Sequence, residues 1–277
     1  MFIERQPSRA LKRSFMTASH RSLLFPVLLL CVTSACTGAA DPPPAVPGAT
    51  VANPGRPVDP ATAGTIAGKI TFTGDRPAIE RLRMASDPAC VQGDGPNPQS
   101  DAVLIGDDGA LRNVFVHVKS GLDPAYGFPA AAAAGPVVLD QQGCRYTPRV
   151  LGVRVGQPIE IVNSDPTFHN VHALPKANEE FNKGQQVKGD RTQRFFTAPE
   201  VMVRFKCDVH GWMAAWVGVV AHPFFAVSAA DGTFKLDGVP PGTYTVEAWH
   251  ERFRTRTAEV TVGERQDATV AFAFAAD

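Results

Sequence analysis

The sequence predicts an all-β protein built as sandwiches of mainly antiparallel strands, and three observations carry that reading. Short runs place apolar residues at every second position, the two-residue period of a half-buried strand. Gly, Pro, Asn and Asp interrupt the runs at intervals that suit turns. No segment of the 277 residues shows a convincing helical period. With 44% hydrophobic residues the chain can fill one or two proper cores.

The N-terminus precedes those cores. Arg5, Arg9, Lys12, Arg13 and Arg21 come before the apolar run Leu23–Val32 and then Thr33-Ser-Ala-Cys36. That order reads as a secretory signal over residues 1–36, with Met16 a candidate true start. The apolar run is too short to span a membrane. Cys36 after Ser-Ala resembles a bacterial lipobox, which would lipidate its sulfur, although Thr33 stands where Leu is usual. The alternative is cleavage near Gly38-Ala-Ala40 and a soluble periplasmic protein. Residues 37–63, rich in Pro and Ala, read as an extended, mobile linker. The whole chain is formally neutral, but residues 1–35 hold five of its 27 cations and one of its 27 acids. The remainder has 22 basic against 26 acidic side chains, a net of −4. That balance calls for neither nucleic acid nor an anionic membrane surface.

From Gly64 the strands follow in order. Ile66, Gly68, Ile70 and Phe72 share one face, with Thr65, Lys69, Thr71 and Thr73 on the other. Val114, Val116 and Val118 alternate with Phe115, His117 and Lys119, which places His117 toward solvent or a second domain. Val153/Val155, Ile159/Ile161, Val201/Val203/Phe205 and Val217/Val219 continue the series. The Ala-rich stretch 128–136, fenced by Gly and Pro, reads as a loop insertion with room for one helical turn. The polar stretch 173–200 reads as an added lobe without an assigned role. His222 and His250 read as structural.

The last fifty-five residues read as a separate unit, 223–277. Tyr244, Val246 and Ala248 alternate with Thr243, Thr245, Glu247 and Trp249, and further strands are expected near Ala258–Val262 and Ala268–Phe274. The stretch Asp231-Gly-Thr-Phe-Lys-Leu-Asp-Gly-Val-Pro-Pro-Gly-Thr-Tyr-Thr-Val-Glu-Ala resembles the carboxypeptidase regulatory-like domain. That resemblance implies a small transthyretin-like sandwich that contacts proteins or supports structure, without chemistry. Gly64-Thr-Ile-Ala-Gly-Lys-Ile-Thr-Phe-Thr-Gly74 resembles the first strand of the same family. Two layouts therefore stand: consecutive units 64–222 and 223–277, or the first nested inside the second.

The chemistry gathers in two loops, Asn163-Ser-Asp-Pro-Thr-Phe-His169-Asn170 and Cys207-Asp-Val-His210-Gly-Trp-Met213. One imidazole from the first loop, and a thiolate, an imidazole and a thioether from the second, suit a single copper ion: two nitrogens and one sulfur in a plane, with a weak axial sulfur. Parity supports the placement of Cys207. Val201, Val203, Phe205 and Cys207 share the apolar face, so the sulfur points inward, where a thiolate needs a cation. After export, Cys90, Cys144 and Cys207 remain. An odd count suggests one disulfide and one free thiol, with Cys90 and Cys144 the preferred pair and a bond from Cys207 to either as the competing reading. Zinc is a weaker fit, because Met is a poor zinc ligand. A dinuclear copper site would need a second Cys in the loop.

Asn163 six residues before His169-Asn170-Val171, followed by Cys-x-x-His-x-x-Met, resembles the cupredoxins of the plastocyanin and azurin type, over roughly residues 100–222. The short gap between His210 and Met213 looks most like the ligand loop of amicyanin. The resemblance implies a Greek-key β-sandwich with His169, Cys207, His210 and Met213 as copper ligands. It also implies that Asn170, with Asn163 nearby, supports them by tying the two loops together. His172 is expected to hydrogen-bond or to line the rim. Trp212 and Phe168 are expected to form an apolar rim through which the His210 edge meets a partner.

The function expected is an exported one-electron carrier and not an enzyme. No phosphate loop or nucleophile elbow is present, and Cys207 with His210 lacks the orienting acid of a thiol protease. The expected partner is a redox protein such as a cytochrome or a membrane oxidase, with the membrane reached only through a lipid on Cys36. The alternatives are a cell-surface binding or scaffold module, and a copper-handling protein in which the metal is structural or passed on.

Overall fold

The computed structural model describes residues 55–92 and 95–276. The expected signal, Cys36 and the linker up to residue 54 lie outside the described residues. No α-helix occurs among the described residues, and the Ala-rich insertion forms one 3-10 turn at Ala131–Ala134.

Four sheets make two sandwiches. The first pairs a three-stranded sheet of β1 (Gly64–Phe72), β13 (Thr233–Val239) and β16 (Asp267–Phe274) with a four-stranded sheet. That second sheet contains β2 (Phe115–Ser120), β12 (Phe225–Val227), β14 (Gly242–His250) and β15 (Arg254–Val262). Its core is continuous, from Ile66 and Ile70 through Val116 and Val246 to Phe274. The strands of the other sandwich all lie between β2 and β12. One sheet runs β5 (Val150–Arg154), β11 (Ala214–Val220), β10 (Glu200–Lys206), β7 (His169–Leu174) and β8 (Phe181–Gln185). The facing sheet runs β4 (Tyr146–Thr147), β3 (Val137–Gln141), β6 (Ile159–Asn163) and β9 (Arg191–Arg194).

The strand pairing corrects the consecutive layout. β1 lies between β13 and β16, and β2 lies between β12 and β14, so residues 64–120 supply strands to the C-terminal sandwich. The copper-loop sandwich is nested within it. Its two ends meet where Val118 N–H donates to Phe224 O (3.1 Å). Three of the four sheets are mixed, and the sheet of β12, β2, β14 and β15 is wholly antiparallel. β1–β16, β5–β11 and β3–β6 run parallel, because long connections carry the chain back to the same end.

Two local expectations change with the topology. Residues 55–63 are docked: Arg56 N–H donates to Ala125 O (2.7 Å), and Val58 packs on the C-terminal core. The stretch 173–200 is not a lobe, since it supplies β8 beside β7 and β9 beside β6. Of the two places expected for His117, the structure gives the one against the C-terminal unit, where it is buried with Glu247 of β14 at its Nε2 (3.4 Å).

The sandwiches pack through a defined face. Phe115 and Phe225 fill the space left by Gly152 of β5 and Gly218 of β11, where a Cβ would lie 2.3 Å and 2.4 Å from the rings. Arg149 bridges the two, ion-paired to Glu251 at the end of β14 and to Asp101 (2.5 Å). The long connection between β1 and β2 then crosses over. It buries Leu82, Met84 and Cys90 in the core of the nested sandwich.

Candidate metal centre

Both loops emerge at one end of the nested sandwich. Cys207 follows β10, where Val203 and Phe205 are buried and continue the inward face. Val201 departs from that parity and is 37% exposed, because the register with β11 shifts between Glu200 and Val203. His169 opens β7, and the turn before it is shaped by Asn163. The Asn163 side chain accepts from Asp165 N–H (2.9 Å) and donates to Thr167 O (2.9 Å).

The structure brings His169, Cys207 and His210 together, with one donor atom of each within 4.8 Å of the others and all three buried. The two Nδ1 atoms are 3.0 Å apart, and Cys207 Sγ lies 3.8 Å from His210 Nδ1. Met213 is buried in the same apolar cluster, its N–H donating to His210 O (2.8 Å), which closes the ligand loop. Asn170 Oδ1 accepts Asp208 N–H (2.6 Å) and lies 3.3 Å from Cys207 Sγ, so one amide spans both loops. Beneath it, the Tyr146 hydroxyl sits between the carbonyls of Asn170 (3.0 Å) and Lys206 (3.1 Å).

Two carboxylates that sequence reasoning missed complete the arrangement. Asp165 meets His169 Nε2 at 2.9 Å, and Asp87 meets His210 Nε2 at 3.0 Å. Asp165 also accepts the N–H groups of Gly143 (2.7 Å) and Cys144 (2.8 Å), and Asp87 accepts the Thr167 hydroxyl (2.9 Å). Asp165 had a sequence signal, standing four residues before His169 in the same loop. Asp87 had none, since it reaches the site from the β1–β2 connection. Cys90 and Cys144 form a disulfide, and Cys207 is free.

Electrostatics follow from these contacts. Burial resists loss of the Cys207 proton, but the neighbouring His169 and His210 outweigh it and hold the thiol down to about 5. Burial likewise opposes charge on His169, yet Asp165 and the Cys207 sulfur lift it to about 9. Burial works against ionisation of both carboxylates, and their hydrogen bonds hold Asp165 and Asp87 below the usual range.

This donor set fits copper. Each Nε2 faces an ionised carboxylate, which only accepts, so one proton of each ring belongs at Nε2, and the second proton of His169 lies at Nδ1 between the two rings. A metal ion that displaces this proton and the thiol proton meets two Nδ1 lone pairs and a thiolate in a buried space. Thiolate and imidazole donors suit copper in either oxidation state.

The expected rim is arranged differently. His210 is 2% exposed, because Asp87 and its loop cover the imidazole edge. Trp212 is half-buried over that ring (5.1 Å between centroids), with its N–H on Cys144 O (3.0 Å). Phe168 is half-buried against Gly184 of β8. His172 stands apart from the donors, between Asp208 (3.0 Å) and Glu180 (2.8 Å).

Comparison with known proteins adds the following. A family model for the carboxypeptidase regulatory-like domain matches residues 217–275. No curated protein matches the chain significantly in sequence. Among solved structures, the oxidised P96G mutant of amicyanin is 23% identical over 38% of this chain and 97% of that one, with a TM-score of 0.29. A purple cupredoxin from Nitrosopumilus maritimus is 21% identical over 31% and 98%, with a TM-score of 0.26. A copper-containing nitrite reductase from Thermus scotoductus is 23% identical over 35% of this chain, with a TM-score of 0.29, and the match spans 24% of its own length. The chain carries a carboxypeptidase regulatory-like domain at 217–275, and its structural neighbours are cupredoxins.

Proposed function

We propose that the protein is an exported, mononuclear type 1 copper protein that carries single electrons. The observation that carries this reading is the convergence of two imidazole Nδ1 atoms, 3.0 Å apart, on the buried free thiol of Cys207. His169, Cys207, His210 and Met213 would hold the copper, which would supply one-electron cycling between its two oxidation states.

The chain's own residues do the rest. Asp165 and Asp87 orient the rings and keep their protons on the outer nitrogen. The backbone N–H groups of Asn170 and of His210, the latter 3.4 Å from Cys207 Sγ, stabilise the thiolate and hold the sulfur in place. Donors fixed by two sheets and a disulfide change little with oxidation state, so transfer needs little rearrangement. Burial of all three donors favours a retained metal over one that is passed on. The protein would make no bonds itself, would act in the periplasm, free or held by a lipid on Cys36, and would exchange electrons with a redox protein.

Copper(II) added to the purified protein is expected to give an intense blue or green thiolate-to-copper band that disappears in Cys207→Ser. Reversible voltammetry should follow, with metal retained in both states. A colourless, redox-silent protein would sink the proposal, and loss of the metal on reduction would favour copper handling.

A further inference from the structure

We infer that Asp87 is a positioning residue for the metal centre and that the Cys90–Cys144 disulfide is the strut that keeps it in place. The inference rests on the copper reading above. Asp87 belongs to the β1–β2 connection of the outer sandwich, yet its Oδ2 lies 3.0 Å from His210 Nε2 and 2.9 Å from the Thr167 hydroxyl, while Oδ1 accepts Ala89 N–H (2.8 Å). Both oxygens are therefore committed, and the carboxylate has a fixed aim.

What fixes it is three residues away. Cys90 N–H donates to Asp87 O (3.0 Å), and Cys90 is bonded to Cys144. Cys144 N–H donates to Asp165 Oδ2 (2.8 Å), the same oxygen that meets His169 Nε2. The covalent bridge thus joins the connection that carries Asp87 to the β3–β4 turn, and that turn holds the carboxylate of Asp165 by hydrogen bonds. The bridge also packs on the site, with both sulfurs within 4.8 Å of a His210 nitrogen. The Trp212 N–H bonded to Cys144 O pins the ligand loop to the same strut.

Three consequences follow from elementary chemistry. An acceptor at Nε2 selects the tautomer whose Nδ1 lone pair faces the metal. A negative acceptor makes that nitrogen a stronger donor, which favours the more highly charged Cu(II) over Cu(I) and lowers the reduction potential. The loop that delivers the carboxylate also takes the His210 edge out of solvent, so the edge is not a free docking point.

The test compares the full chain with Asp87→Asn, which keeps the shape and loses the charge, and with Cys90→Ser/Cys144→Ser, which removes the strut. The probe is copper(II), and the readouts are affinity by chelator competition and reduction potential by voltammetry. Asp87→Asn is expected to retain the thiolate band, to bind copper(II) about 10- to 100-fold more weakly, and to show a higher potential. The double variant should shift both readouts in the same direction. An Asp87→Asn protein with unchanged potential overturns the inference even where affinity falls, because packing alone would then account for the change. Failure of the underlying copper reading looks different: the unaltered chain itself would give no band.

Discussion

At the scale of single residues, charge placement separates the site from its surroundings. Around Cys207, two carboxylates outside the rings and a thiolate inside make a negative cluster that calls for positive charge between the donors, from the proton on His169 or from a metal ion in its place. His250 shows the opposite case. It stacks on Phe253 (4.6 Å) at the end of β14, and its Nε2 is buried without a hydrogen-bond partner. Burial, helped by the charges of Arg149 and Arg252, pushes His250 down from 6.5 to about 4. The folded state thus refuses a proton that the unfolded chain accepts. Its contribution to stability is complete above about pH 6.5 and fades as pH falls toward about 4. His222 is pushed in the same direction, to about 4, by burial. Denaturant melts from neutral to acidic pH should show this loss. His250→Phe is expected to flatten the slope by about one proton, and an unchanged slope would remove His250 as its source.

At the scale of elements, glycines decide how the sandwiches meet. Gly152 and Gly218 sit in strands whose alternation reads as ordinary β pattern, yet both face the rings of Phe115 and Phe225. Gly218→Ala would place a Cβ 2.4 Å from Phe115, a ring with nowhere to retreat in a buried face. We expect a loss of about 1–3 kcal/mol, read as a lower melting temperature with the copper band intact. Alternation was legible in β1, β2, β10 and the C-terminal strands, because one face of each contacts a core. It failed at Val201, where the register shift turns the side chain outward. For His117 it left solvent and the C-terminal unit open, and the contact with Glu247 chose the second. Pattern reasoning assumes an unbroken ladder, which does not hold at Val201.

For the whole molecule, nesting couples the two sandwiches. β1 depends on β13 and β16, and β2 on β12 and β14, so the outer sandwich cannot form until the chain is complete. A fragment 64–222 leaves both strands unpaired and is expected to lose cooperative unfolding in calorimetry. A sharp transition like that of the full chain would contradict the dependence. The same coupling delivers Asp87 and Cys90 to the candidate metal centre from the outer sandwich, so a disturbance there can reach His210 through a disulfide and one hydrogen bond.

The sequence alone determined the all-β class, the regulatory-like strands near the C-terminus and the two loops that bear His169, Cys207, His210 and Met213, and it preferred Cys90 with Cys144 as the pair to bond, a choice that the structure made. Each of these is written in short range: a two-residue period, a ligand spacing within one loop, a local motif, or a cysteine count. The tertiary structure decided that one sandwich is nested in the other, that Asp165 and Asp87 cap the imidazoles, and that the His210 edge is covered where an open rim was expected. Those features join residues far apart along the chain, Asp87 to His210 and Gly64 to Val239 among them. Strand pairing and side-chain burial bring them together, and no local pattern records which partner a strand or a carboxylate will find.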